Sequence, residues 1–160
     1  MTTYSAFRMV QNMNLKKILS EKVLSRDLPG TGKREIIENL IDLLVSAGDI
    51  TDREAVLRCV LERESKMSTG IQEGIAIPHG KTDAVDRLHA CVALKKAGVD
   101  FEALDGKPST IFILTVSPRN KTGPHVQFLA EISRLLNDRE KRERLLKAET
   151  EAEMLKILTA

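Results

Sequence analysis

Apolar residues at Ile36, Ile37, Leu40, Leu43, Leu44 and Ala47 recur at intervals of three and four, which predicts an amphipathic helix over residues 33–47. Gly48 stands where a helix C-terminus takes a left-handed residue. Thr51-Asp52-Arg53-Glu54 reads as a capping box with Ile50 as its hydrophobic staple. It predicts a second helix running to about Ser65, with Val56, Cys59 and Val60 turned inward. The period then changes. Residues 75–77, 89–94 and 110–116 are short, β-prone and bounded by turn residues, and the last run is apolar almost throughout. Such a run suits a central strand covered on both faces. Asp105-Gly106-Lys107-Pro108 predicts a turn between strands. A helical period returns at Gly123, with Pro124 suited to the first turn and Phe128, Leu129, Ile132, Leu135 and Leu136 on the buried face. Asn137-Asp138 breaks that helix, and residues 139–147 and 151–158 predict two short ones. Helices before and after a set of strands imply an α/β protein with helices on both faces of its sheet.

The chain of 160 residues is long enough for one domain with a full core, and no linker divides it. The more natural domain start is Met13, so residues 13–160 are expected to form the domain and residues 1–12 an N-terminal extension. With 25 basic and 23 acidic residues the net charge is +2, too balanced for a dedicated nucleic-acid binder. No apolar run approaches the roughly 18–20 residues of a membrane span, and the N-terminus lacks the apolar core of a secretory signal. Cys59 and Cys91 lie in separate segments without a CxxC unit and read as buried, reduced thiols of a cytoplasmic protein.

The densest chemistry lies in Ser68-Thr69-Gly70-Ile71-Gln72-Glu73-Gly74-Ile75-Ala76-Ile77-Pro78-His79-Gly80-Lys81. Pro78 fixes its own φ and restricts Ile77, while Gly80 is expected to turn the backbone tightly and leave space beside the imidazole. Ser68, Thr69 and the glycine-rich backbone, Gly80 included, are expected to offer hydrogen bonds to an anion. His79 is thus mounted as a phosphate-handling histidine. His125 follows Gly123-Pro124 at a helix start, where free amides and the positive end of the dipole favour anions. His89 has no such setting and reads as structural. Arg63 precedes the Ser68-Thr69 loop and can fork onto a phosphoryl group, although Glu62-Arg63-Glu64 also reads as a solvated helix end. The histidines and cysteines match no compact zinc spacing, and no metal is expected. There is no Walker-type loop and no GxSxG; Gly30-Thr31-Gly32-Lys33 reads as a turn before a helix.

Arg63, Ser68-Thr69-Gly70-Ile71, Gly74-Ile75-Ala76-Ile77-Pro78-His79-Gly80-Lys81, Leu104-Asp105-Gly106-Lys107-Pro108 and His125 with Phe128-Leu129-Ala130 resemble the type-2 IIA domains of the bacterial phosphotransferase system, the fructose/mannitol and nitrogen-regulatory IIA proteins. The resemblance implies a three-layer α/β/α sandwich around a mixed β-sheet. It implies that His79 accepts a phosphoryl group from the histidine-containing phosphocarrier protein, with His125 as the second active-site histidine and Arg63 steadying the phosphoryl group. His79 would relay the group to a cysteine of a IIB partner in sugar uptake; alternatively, the phosphorylation state regulates a target protein. Such a relay requires no nucleotide, metal or other cofactor, and no insertion in the membrane. Relatives read Gly-Asn-Gly where this chain has Gln72-Glu73-Gly74, and Glu73 would repel a phosphoryl group if it faced the pocket.

Overall fold

A computed structural model describes residues 15–160. The expected extension, residues 1–12, and the domain start at Met13 lie outside the described residues. Two short 3-10 turns, Leu15–Lys17 and Glu21–Val23, lead into β1 (Leu24–Ser25). Then come α1 (Lys33–Ser46), α2 (Arg53–Lys66), β2 (Ile75–Ala76), β3 (His79–Lys81), β4 (His89–Val99) and β5 (Ser109–Ser117). Three helices close the chain: α3 (Thr122–Leu136), α4 (Arg139–Leu146) and α5 (Glu151–Thr159).

The sheet is mixed. β4 and β5 pair antiparallel at its centre, β1 runs parallel to β4 on one edge, and β2 and β3 both run parallel to β5 on the other. Ile111, Phe112, Ile113 and Leu114 are fully buried, as expected for a strand covered on both faces. One face carries α1 and α2, since Cys91 Sγ reaches the Leu40 carbonyl and Gly80 lies against Cys59 and Val60. The other carries α3 and α5, which bury Phe128, Ile132, Met154, Ile157 and Leu158. The protein is a three-layer α/β/α sandwich, as the order of periods implied.

The helix boundaries follow local chemistry. Gly48 adopts φ 84° and donates to the Val45 carbonyl just past the end of α1, as its position predicted. Gly30 adopts φ 123°, and Gly30–Gly32 is the expected turn into α1. The start of α2 is a correction. Its N-cap is Asp52, whose carboxylate accepts from the Ala55 amide, and not Thr51. A carboxylate one residue further on caps the Ala55 amide in place of the Glu54 amide and suits the positive helix end better than a hydroxyl. Asp138 does the same for α4, accepting from the Glu140 and Lys141 amides directly after the break at Asn137.

Two strands lack any sequence pattern, β1 and β3, because two or three residues cannot display a period. β2 and β3 are one edge strand interrupted at Ile77-Pro78. Proline has no amide hydrogen for the ladder, yet its carbonyl still accepts from the Thr115 amide. The expectation that Gly80 turns the backbone is corrected, for it is a buried strand residue within β3. A Cβ there would lie 2.5 Å from Cys59 Sγ and 3.1 Å from the Val60 amide nitrogen. Glycine at this position lets α2 cross the strand closely.

Glu73 adopts φ 61°, a left-handed conformation that costs a non-glycine residue about 1–2 kcal/mol. Its exposed carboxylate lies 3.6 Å from the Arg142 guanidinium on α4. Glu73→Asn should raise stability by about 0.5–1 kcal/mol, since asparagine tolerates this conformation and the exposed ion pair contributes little. Chemical denaturation tests this; a lower midpoint would show that the Arg142 contact outweighs the relieved backbone.

Candidate phosphoryl-transfer site

Strand pleating decides what surrounds His79. In β3 it lies beside Thr115 of β5, and Lys81 lies beside Ser117. Neighbours in register share a face, so His79 and Lys81 both project toward the α3 side, while Gly80 between them faces α2. On that side the first turn of α3 brings His125 against His79, with ring centroids 5.3 Å apart. The two histidines, distant in sequence, therefore share one site. Lys81 Nζ lies 3.1 Å from Thr122 Oγ1, which ties the strand to the opening of α3. No side chain caps that opening, which leaves the Thr122 and Gly123 amides at the start of the helix without a side-chain acceptor.

His79 Nδ1 lies 3.0 Å from the Ile77 carbonyl oxygen. A carbonyl only accepts, so Nδ1 carries the hydrogen and Nε2 keeps a free lone pair. Burial lowers the His79 pKa below its ordinary value, and the charges of Arg63 and Lys81 add to this against the Ile77 carbonyl and Glu64. Neutral His79 is thereby the prevailing form near pH 7. Burial, helped by His79 and Lys81, pushes His125 down to about 4. Its Nδ1 is buried with no protein partner, so nothing among the described residues fixes which nitrogen holds the hydrogen.

This depression has a measurable sign. The folded chain resists the proton that the unfolded chain accepts near pH 6.5, so stability is present above that pH and is lost as pH falls toward 4. The contribution of His125 is on the order of 3 kcal/mol across that window, and His79 and His89 shift in the same direction. His125→Gln should flatten the profile of urea midpoint against pH between about 6.5 and 4. A profile parallel to wild type would place the acid sensitivity in other groups.

Arg63 sits near the end of α2, half-buried, and donates from its guanidinium to the Met67 carbonyl at 2.9 Å. It is a fixed cation, close enough to depress His79, and not a freely solvated helix end. Ser68 and Thr69 depart from expectation. Ser68 Oγ donates to the Phe101 carbonyl at 2.6 Å, and the Gly70 amide donates to it. Thr69 Oγ1 donates to the Glu64 carboxylate, which also takes the Thr69 amide and pairs with Lys33 at 2.8 Å. Both hydroxyl hydrogens are therefore committed within the protein. These residues hold the loop in place, and their hydroxyls are not presented to an anion. Glu73 likewise reaches α4 and not the pocket.

Lys81 and Glu64 were absent from the site read in the sequence. A period of two starting at His79 would have found Lys81, had residues 79–81 been recognised as a strand. Glu64 is buried beside Arg63 and anchors the loop that leads into β2, a role with no local signature. His89 is buried, with Nδ1 3.6 Å from Asp49. Cys59 and Cys91 are both free thiols, and burial pushes Cys59 up to about 11.

Comparison with known proteins identifies the family. Residues 17–160 match the family described as phosphoenolpyruvate-dependent sugar phosphotransferase system, EIIA 2. The chain is 37% identical over 145 residues to the fructose-specific EIIA component of Haloferax volcanii, covering 91% of this chain and 94% of that one. It is 34% identical over 146 residues to the fructose-specific EIIABC component of Bacillus subtilis, covering 91% of this chain but only 23% of that longer protein. The crystal structure of nitrogen regulatory protein IIA-Ntr from Neisseria meningitidis superposes with a TM-score of 0.84 at 28% identity, over 91% of this chain and 99% of that one. The chain belongs to the EIIA type-2 family of the phosphoenolpyruvate-dependent sugar phosphotransferase system.

Proposed function

We propose that His79 Nε2 is the phosphoryl acceptor of this IIA domain, that the histidine-containing phosphocarrier protein is its donor, and that a IIB partner receives the group. The hydrogen bond from His79 Nδ1 to the Ile77 carbonyl carries the reading, because it leaves Nε2 as the nucleophile. The Nε2 lone pair attacks the phosphorus of the donor's phosphohistidine in line. The donor's N–P bond breaks, and its electron pair returns to the donor imidazole. The Ile77 carbonyl then stabilises the hydrogen on Nδ1 as positive character builds in the phosphorylated ring. Arg63, Lys81, the free amides of α3 and a neutral His125 meet the phosphoryl oxygens, each charge-assisted hydrogen bond being worth about 1.5–3 kcal/mol. Onward transfer reverses these steps toward a cysteine thiolate of the IIB partner. No cofactor enters the chemistry.

Three large apolar side chains are exposed among the described residues: Met67, Leu104 and Val126. Met67 takes the Arg63 bond, the Leu104 amide donates to Gly70, and Val126 follows His125. Exposed apolar side chains near Arg63 and His125 suit a brief protein encounter. The B. subtilis relative bears A, B and C components in its name, which supports a IIB acceptor in sugar uptake. The likeness to a nitrogen regulatory protein supports a second reading, in which the phosphorylation state controls a target protein. Both readings place the domain in the cytoplasm. Among the described residues no helix is long and apolar enough to cross a membrane.

Phosphorylation from phosphoenolpyruvate through enzyme I and the phosphocarrier, followed by NMR of ring nitrogen couplings, tests the assignment. The phosphate should reside on Nε2 of His79; attachment at Nδ1 would sink it. Arg63→Lys should retain the fold and slow transfer about tenfold or more, because an ammonium cannot fork onto the phosphoryl oxygens. Wild-type transfer kinetics in that variant would remove Arg63 from the reaction.

A further inference from the structure

A cleft of about 520 Å³ opens where the N-terminal turns, the loop before β4 and the entry to α3 meet. His89, which lines this cleft, lies beside Val116 and His79 beside Thr115, so the two imidazoles point to opposite faces of the sheet. Consecutive strand residues face opposite ways. Lys16, Lys17, Lys22, Arg87 and Lys121 line the cleft, drawn from the N-terminal turns, the loop before β4 and the entry to α3. Five cations converge here in a chain whose net charge is only +2. Asp49 is the one carboxylate among its described lining residues, and it is engaged with His89. Lys121 Nζ bonds to the neutral Asp86 carbonyl, which leaves its charge uncompensated by that contact. The first fourteen residues contain no Asp or Glu, so that segment offers no side-chain carboxylate to complement the cleft.

We propose that this cleft is a binding site for a small soluble anion bearing two or more phosphate groups, separate from the phosphoryl-transfer site. The volume falls within the roughly 300–1,000 Å³ of small-molecule pockets, smaller than an extended polymer requires. Convergent lysines and an arginine supply charge-assisted bonds to several phosphate oxygens at once. Ile18, Leu19 and Val23 add an apolar wall that can cover the non-phosphate part of such a ligand.

Calorimetric titration of the full chain with inorganic pyrophosphate at low salt tests the proposal. Saturable binding is expected, weakening as salt rises. Lys22 and Arg87 are exposed, so Lys22→Glu with Arg87→Glu should keep the wild-type melting temperature yet weaken binding roughly tenfold or more. Each single variant, weakened less, serves if the double variant melts early. His79→Ala should bind pyrophosphate like wild type. Absence of saturable binding overturns the proposal. So does binding that is lost in His79→Ala and kept in the charge-reversed chain. Retention on anionic lipid vesicles without uptake of free pyrophosphate overturns the assignment to a soluble ligand.

Discussion

His79→Ala should lose all acid-labile phosphate labelling from phosphoenolpyruvate, enzyme I and the phosphocarrier, while the fold remains. The expected loss is complete because the substitution removes the proposed acceptor atom, His79 Nε2. No neighbour can replace it: Lys81 and Arg63 are cations without a free lone pair, and His125 is buried in the first turn of α3. The structural cost is small by comparison. One hydrogen bond to the Ile77 carbonyl disappears, worth about 1 kcal/mol. Labelling and thermal melting of the same preparation separate the two effects. Undiminished labelling in the folded variant would move the acceptor elsewhere.

Gly80→Ala should destabilise the protein by about 1–3 kcal/mol and slow transfer beyond what the folded fraction explains. The new methyl would approach Cys59 Sγ at 2.5 Å, Val60 Cγ2 at 3.1 Å and the Val60 amide nitrogen at 3.1 Å. Cys59 can give way by rotating, but the backbone of α2 cannot without shifting the helix that carries Arg63. In a Cys59→Ala background the closest contact is gone, so Gly80→Ala should cost less there than in wild type, with part of the penalty persisting against Val60. Denaturant midpoints for the four chains of this cycle give the coupling directly. An equal cost in both backgrounds would show that the thiol is not the obstacle.

Both predictions turn on a segment whose chemistry was readable and whose geometry was not. Helix periods at 33–47 and 123–136, the apolar run at 110–116 and the stop at Gly48 were legible because each arises within a few residues of itself. The Pro78-His79-Gly80 setting marked the candidate nucleophile for the same reason, and Gly123-Pro124 marked His125 at a helix start. The sequence alone thereby determined the class of fold and marked the two imidazoles of the candidate site.

Tertiary structure decided which way those groups face and what they touch. β3 is three residues long and carries no period of its own; only its pairing with Thr115–Ser117 places His79 and Lys81 on one face and Gly80 on the other. Ser68 and Thr69 looked available to an anion because their partners, the Phe101 carbonyl and the buried Glu64 carboxylate, are set by how the loop folds back and not by its sequence. Glu73 looked threatening to phosphate until the turn around it aimed its side chain at Arg142 of α4. Short-range periodicity and turn chemistry are written in neighbouring residues. Strand pairing, hydroxyl partners and the direction of an exposed carboxylate depend on contacts between segments far apart in the chain, and those exist only once it has folded.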